Sequence, residues 1–492
     1  MKNQNMFNKS PEPQTIEVSG GKIKKYLTGI AFLTVLIVAD ACRVSQNLEI
    51  PKADVPVSFR NSASNDSGSV ANLPWKSFFP DVTLQQLIDS AVVKNYDMQL
   101  AVKNIEAAQL IFNQTKWSYF PDARVQLTGG SNRPSDNSLN GISASQFLGT
   151  RHIEDFTTSI NLSWEADIWG KIRNQNARIL AEFLQTDEAR KAVQTRLVAG
   201  VAQGYFNLLM LDEQLAIAKR NFALNDSTLQ IIRLQHQAGQ VTLLAVQQAE
   251  AQQLVAAGLV PQLEQNIIIQ ENALKVLTGA LPDKIERNAG FNALTVPENL
   301  SAGIPSSLVG RRPDVRSNEL ALNVANAKVG VAKANMYPSL TITAAGGINS
   351  FKASNWFNIP ASLFGTAAAG IAQPVFMKKQ LQTQYQVALV EREKTVLYFK
   401  QSVLNAVGEV SDALVKIEKL KVQQDITANR VNTLQQAIPN ADMLFKNGMA
   451  TYLEVINAQS NVLQSELEQS SIKRARLSAM VDLYRSLGGG WK

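Results

Sequence analysis

"SYFPDARVQLTGG", residues 118–130, changes the periodicity of the chain within the space of one proline. The residues before it read as helix. Pro121 removes a backbone donor and restrains φ, which ends that helix. Ala123, Val125 and Leu127 then alternate with Arg124, Gln126 and Thr128, the period of a strand with one apolar face. "NMYPSLTITAAGG", residues 335–347, repeats the event around Pro338, with Leu340, Ile342 and Ala344 alternating with Thr341 and Thr343. A helix that runs directly into a strand, twice, points to one helical body joined to one sheet.

The echo extends along the chain. At the offset from Pro121 to Pro338, 217 residues, Asp97 matches Asp314, Ala108 matches Ala325, Lys116 matches Lys333, and Gly129-Gly130 match Gly346-Gly347. From Gly239 and Gly448 onward the offset is 209. It aligns Thr242 with Thr451, Leu244 with Leu453, Val246 with Val455, Ala249 with Ala458 and Gly279 with Gly488. The first copy carries its surplus in "SNRPSDNSLNGISASQFLGTRH", residues 131–152. A period of about 210 residues is far longer than a solenoid repeat. It implies a duplicated unit: helix, strand, loop, strand, very long helix, turn, long helix.

From Leu197 the apolar positions run Val201, Gly204, Leu208, Leu211, Leu215, Ala218 and Phe222, in steps of four and three. That is the 3.5-residue period of a coiled coil. The second copy shows Val403, Val407, Val410, Leu414 and Ile417. No proline falls between Pro134 and Pro261 or between Pro374 and Pro439. Helices of about 60–70 residues, roughly 90–105 Å long, are therefore allowed. A second stripe, Val198, Ala202, Tyr205 and Leu209, predicts packing on two sides. Taken alone, these features describe a coiled-coil rod.

The strands oppose that reading. "SINLSWEADIW", residues 159–169, sets Ile160, Leu162, Trp164, Ala166 and Ile168 against Ser159, Asn161, Ser163, Glu165 and Asp167. The pattern fits a membrane strand with lipid on one side and water on the other, and it also fits a sandwich strand. "LFGTAAAGIAQPVF", residues 363–376, alternates poorly and is the weakest strand candidate. Four strands cannot close a barrel, and lipid does not tolerate open edges. A spanning sheet therefore requires several chains.

The 492 residues are 45% hydrophobic and 18% charged, with a net charge of +7. Lys and Arg are scattered apart from Arg311-Arg312, Lys378-Lys379 and Lys473-Arg474, without interleaved aromatics, which argues against a nucleic-acid partner. His152 and His236 have no cysteine or carboxylate at metal-ligand spacing, and no phosphate loop or nucleophile elbow occurs. No metal, cofactor or enzymatic activity is expected. Lys22, Lys24 and Lys25 precede "YLTGIAFLTVLIVA", residues 26–39, the plan of a secretory signal, too short to span a bilayer comfortably. Cys42, the one cysteine, follows Ala41 and resembles the acylated cysteine of a bacterial lipoprotein, although Asp40 departs from that pattern. An ordinary signal with an incidental cysteine is the other reading.

"GRRPDVRSNELALNVANAKVGVAKANMYPSL", "WEADIWGKIRNQ", "AGQVTLLAVQQAEAQ", "NGMATYLEVINAQSNVL" and the ending "LYRSLGGGW" resemble the TolC-like outer-membrane efflux channels, in their lipoprotein branch, from about Pro74 onward. The resemblance implies a mainly α fold with a membrane β-barrel. Three identical chains would each give four strands to a shared twelve-stranded barrel in outer-membrane lipid. Their coiled-coil helices would form a periplasmic tunnel. Such channels dock onto a periplasmic adaptor and an inner-membrane pump and expel drugs, dyes, detergents or metal ions. On this plan residues 1–41 are the signal, 42–82 an extended equatorial segment, 83–285 the first repeat, 286–305 a linker and 306–492 the second repeat.

The resemblance also assigns roles. Glu454 follows the second Gly-x-x-Thr turn, where the family's periplasmic gate carries an acid. Asn457 stands where a second acid is usual, and the first-copy equivalents Ala245 and Gln248 are uncharged. Three Glu454 carboxylates around one axis would attract cations and favour raised pKa values. An exposed helix glutamate is the plain alternative. Gly239, Thr242, Gly448 and Thr451 mark the adaptor-docking turns, where glycine supplies a positive φ. Pro121, Pro338 and Pro374 are helix–strand junctions. Pro439, aligned with Gln230, is expected to kink the second coiled coil alone. Lys378-Lys379 sit where the family has glycines, at a helix start whose dipole they oppose. A lipid-anchored periplasmic rod or adaptor, and the channel of a type I protein secretion system, are the competing functions.

Overall fold

In the first repeat, α1 (Val82–Lys94) and α2 (Tyr96–Thr115) lead into β1 (Asp122–Asn132) and β2 (Ile153–Ala166), then α3 (Lys171–Gln237) and α4 (Leu243–Leu277). In the second, α5 (Pro313–Ala334) leads into β3 (Ser339–Ser350), β4 (Leu363–Ala372), α6 (Gln380–Lys446) and α7 (Tyr452–Ser486). The structure is a computed structural model that describes residues 55–60, 69–288, 290–297 and 301–492; Cys42 and the signal segment lie outside these. Both α3 and α6 have 67 residues, and both α4 and α7 have 35. At the 209-residue offset the two hairpins begin and end at equivalent positions.

The described chain divides into two units. The first holds Tyr119–Asn174 and Gly330–Tyr385, and its centre is one antiparallel sheet in the order β1-β2-β3-β4. Val125 pairs with Ile160, Ile160 with Gly346, and Gly346 with Gly365. That register gathers Val125, Leu127, Leu162, Ile342 and Ile371 on one face. Gln126, Asn161, Ser163, Thr343 and Thr366 occupy the other. The apolar face is open: Val125 is 77% and Ile371 75% exposed. β4, the weakest candidate from sequence, is a full strand paired with β3 over ten residues. Its Ala367, Ala368, Ala369 and Gly370 put small residues on both faces, which blurs the alternation without disturbing the pairing. At Gly347 a Cβ would lie 2.0 Å from the Thr158 carbonyl oxygen, so the β2–β3 approach there requires glycine.

The second unit is helical and comprises the described residues up to Ser118, Gln175–Val329 and Gln386–Lys492. Both predicted stripes of α3 are inside it: Val201 and Leu208 from one, Ala202 and Tyr205 from the other, are all fully buried. Val403 and Val410 of α6 are buried likewise. Gly204 lets α4 come close to α3. A Cβ there would meet the Leu274 side chain at 2.8 Å, and Gln270 donates to the Gly204 carbonyl at 3.0 Å.

Each repeat closes on itself in the same way. After α4, Gly279 (φ +68°) lies so near α1 that a Cβ would stand 2.3 Å from the Lys94 oxygen. After α7, Gly488 (φ +87°) stands in the same relation to the Arg311 oxygen, at 2.7 Å. Asn95 Nδ2 donates to the Leu277 carbonyl at 3.0 Å, and Arg312 Nη1 donates to the Ser486 carbonyl at 3.1 Å. Arg312 is buried and also binds Asp314 through Nε (3.0 Å) and Nη2 (2.6 Å), and Glu409 at 3.0 Å. Burial alone would raise the Asp314 carboxyl, but the bonds and charge of Arg312 prevail and hold it below the usual carboxylate range.

Candidate functional site

The two helical hairpins end in turns of the same design. Gly239 (φ +73°) and Gly448 (φ +72°) are left-handed. Gly239 N–H donates to His236 O and Gln240 N–H to Gln235 O, both at 2.9 Å. Gly448 N–H donates to Phe445 O (3.0 Å) and Met449 N–H to Leu444 O (2.9 Å). These are the paired bonds of a Schellman helix end. A Cβ at either glycine would meet open space, so the positive φ alone demands glycine. Thr242 and Thr451 then occupy the N-cap positions of α4 and α7, Thr242 without a side-chain bond to the helix.

Beyond the caps the turns part. The Glu454 carboxylate accepts from the Thr451 N–H at 2.9 Å and from the Thr451 hydroxyl, which is the carboxylate half of a capping box. Glu454 is exposed. The Thr451 hydroxyl, followed by backbone N–H groups of the helix start, holds its carboxyl below the usual range. Within one chain the shift is therefore opposite to the rise expected of a three-carboxylate ring, because hydrogen bonds to the charged form favour it. Asn457 is exposed one turn further on. Ala245, the first-copy counterpart of Glu454, is fully buried. It packs in an apolar cluster with Leu229, Ile232, Val246, Phe445 and Val455 that joins all four hairpin helices.

Sequence reasoning missed the bond that links the hairpins at this level. The Tyr452 hydroxyl of α7 donates to Gln248 Oε1 of α4. Tyr452 aligns with Leu243, so neither repeat predicts it. Further along, Gln459 Nε2 donates to Thr228 Oγ1 at 2.8 Å in a buried polar layer between α7 and α3. His236 Nδ1 lies 3.0 Å from the Val241 carbonyl oxygen and serves the first turn. Among the described residues no group of three or more His, Cys, Asp or Glu is placed to hold a metal ion. α6 continues through Pro439, and α4 continues through Pro261. Each hairpin thus has an interior proline, in the outgoing arm of the second and the returning arm of the first.

At the sheet, Pro121 and Pro338 directly precede β1 and β3, and Pro374 follows β4. Between β2 and α3, Asp167 accepts from the Ile172 and Arg173 N–H groups at 2.8 and 2.9 Å and caps the helix. Trp169 Nε1 donates to Pro338 O at 2.6 Å while its ring stacks on Tyr337, centroids 4.9 Å apart. Gly170 takes φ +74°. Between β4 and α6 the position aligned with Gly170 is Lys379. Lys378 and Lys379, read from sequence as a helix start, instead precede the helix at φ +49° and +61°. They occupy the left-handed turn that glycine takes in the first repeat.

No helix among the described residues is long and apolar enough to cross a membrane. A family model described as "Outer membrane efflux protein" matches residues 87–280 and 304–489. The cation efflux system protein CusC of Escherichia coli O6:H1 is 28% identical over 462 residues, covering 93% of this chain and 98% of that protein. The solvent efflux pump outer membrane protein SrpC of Pseudomonas putida is 27% identical over 464 residues, covering 93% and 97%. The open state of the Neisseria gonorrhoeae MtrE outer membrane channel superposes with a TM-score of 0.81 at 25% identity, covering 91% of this chain and 98% of that one. With both repeats matched separately over most of their length, the chain belongs to the outer membrane efflux protein family.

Proposed function

We propose that this chain forms the outer-membrane exit channel of a tripartite efflux pump, as a homotrimer whose three sheets close into one twelve-stranded barrel. The observation that carries the reading is the sheet: one exposed apolar face, one polar face, and outer edges on β1 and β4. In lipid those edges need partners, which further copies of the same chain supply. Twelve strands lie within the range of membrane barrels. The channel works with a periplasmic adaptor and an inner-membrane transporter. Its relatives are named for cation and for solvent efflux. The polar sheet face sets Asn161, Ser163 and Thr343 beside Arg124 and Asp122, charges of both signs, and suits a permissive conduit for small molecules or metal ions, with selection made by the pump.

The turns at Gly239-Thr242 and Gly448-Thr451 are the adaptor-facing tips in this reading, Glu454 with Asn457 lines the gate, and Cys42 carries the lipid. The Tyr452–Gln248 bond is the contact to loosen when the second hairpin moves. Conductance of the purified protein in a planar bilayer tests the proposal. Discrete channels are expected from the wild type and from Glu454→Ala, with weaker cation preference in the variant. Equal preference moves the gate elsewhere. Silence that persists when Tyr452→Phe loosens the tip favours a non-spanning coiled-coil rod.

A further inference from the structure

The junction between β2 and α3 has a cap in Asp167, a stacked and bonded indole in Trp169 and a left-handed glycine in Gly170. The same turn between β4 and α6 is built from Val375, Phe376, Met377, Lys378 and Lys379. Phe376 aligns with Asp167 and cannot cap. Val375 is 93% and Phe376 83% exposed. Lys378 and Lys379 hold φ values that side chains with a Cβ rarely adopt. Among the described residues neither lysine side chain makes a hydrogen bond or ion pair. Two adjacent cations also oppose each other and the positive end of α6. Among the described residues Gln373 Nε2, donating to Met336 O at 3.0 Å, stands in for the docked indole, but no side chain compensates this turn for the glycine and the cap it lacks.

Its place in the sheet unit suggests what does. Ile371, on the open apolar face, stands four residues before Val375, so the exposed segment continues that face. The same end of the sheet carries Tyr119, Trp164, Trp169 and Tyr337, with Trp164 Nε1 donating to Tyr119 O at 2.9 Å. Trp and Tyr at the end of an apolar band mark the level where acyl chains give way to headgroups. We infer that Pro374–Lys379 is a contact site for anionic phospholipid. Val375 and Phe376 enter the acyl boundary, and Lys378 and Lys379 meet the lipid phosphates. The apolar pair alone would suit any lipid; the unpaired cations select the anionic ones. This rests on the sheet spanning the membrane.

The test compares the full chain with the double variant Lys378→Gly/Lys379→Gly. Glycine takes the positive φ without strain, so the variant folds. Each protein, in neutral micelles, is titrated with phosphatidylglycerol, with phosphatidylcholine as control, and its melting temperature is followed. The phosphatidylglycerol fraction giving half the stabilisation is expected to rise about fivefold per lysine removed, with the phosphatidylcholine response unchanged. Equal midpoints overturn the inference. So does a variant whose oligomer dissociates earlier without lipid, since the segment then serves a neighbouring copy. Vesicles of phosphatidylethanolamine and phosphatidylglycerol separate the two levels of failure. Release of the wild type by alkaline extraction defeats the spanning reading, whereas retention of both proteins with equal midpoints defeats only the lipid contact.

Discussion

Gly279 and Gly488 close the two repeats alike, while Ala245 and Glu454 make their tips different, and so do Gly170 and Lys379 at the sheet. The agreements sit where a repeat folds onto itself. Both closing glycines have a carbonyl where a Cβ would be, and both α4 and α7 receive a side-chain donor from the residue just before the helix that leads into the sheet. The differences sit at the ends that face something other than the repeat. Duplication supplies the backbone twice; contacts inside each copy hold identities in step, and positions without such contacts are available for tasks that only one copy performs.

The closing glycines offer the strongest way to break this comparison. Gly488→Ala adds a left-handed penalty to a collision with the Arg311 backbone, which has no side-chain freedom to yield. A loss of about 3–4 kcal/mol is expected. Gly279→Ala should match it, whereas Gly448→Ala, left-handed in open space, should lose only about 1 kcal/mol. Denaturant unfolding of the full chain measures all three. A Gly448→Ala loss as large as that of Gly488→Ala would mean that backbone conformation, and not the closing contact, sets the cost.

Next come the two donors. Arg312→Ala leaves Asp314 and Glu409 without their buried cation and costs about 2–3 kcal/mol, a value reduced because both carboxylates are partly exposed. Asn95→Ala removes one bond to Leu277 O and the α2 cap on Met98 N–H, and costs about 1–2 kcal/mol. The pH dependence sharpens the contrast. Asp314's carboxyl is lowered in the folded state, so its share of stability is present above the ordinary Asp pKa and fades as pH falls through the lowered value. Wild type and Asn95→Ala should therefore lose stability together on acidification, and Arg312→Ala should show a flatter profile. Parallel profiles in all three would remove Arg312 as the cause.

Much of this was legible before any coordinates. The 3.5-residue stripes named which faces of α3 are buried, because a coiled helix must repeat its contacts. The alternation in β1 to β3 named the apolar face, because successive strand residues point oppositely. β4 was dim because alanine and glycine carry little hydropathy. The left-handed lysines do not announce themselves, because only glycine advertises a positive φ; the glycines that similar channels carry at this turn were the one sign of it. Tyr452–Gln248 joins residues 204 apart and belongs to no motif. Pro261 bounded a proline-free stretch in the sequence, yet α4 runs on through it, as α6 does through Pro439. One signal was present and unread: Thr451-x-x-Glu454 is a capping-box spacing, and it predicts the lowered carboxyl.

That spacing gives the smallest and sharpest test, because Glu454 has two separable roles. As a cap it needs an acceptor for the Thr451 N–H; as a gate it needs a charge. Glu454→Gln keeps an acceptor and loses the charge, and Glu454→Ala loses both. Hydrogen exchange at the first turn of α7 reads the cap, and ion selectivity reads the charge. The wild-type carboxyl is lowered when folded, so capping holds above the ordinary Glu pKa and weakens as pH falls through the lowered value. Protection in the wild type should then drop toward that of Glu454→Ala, while Glu454→Gln stays level across the same range. Selectivity should fall equally in both variants at neutral pH. If Glu454→Gln retained wild-type selectivity and Glu454→Ala lost it, the tip would depend on the shape of the capped turn and not on a ring of charge. The first repeat already has such a turn without the acid: Ala245 is buried against the second hairpin, where a carboxylate could not be solvated, so only the second repeat is free to present one.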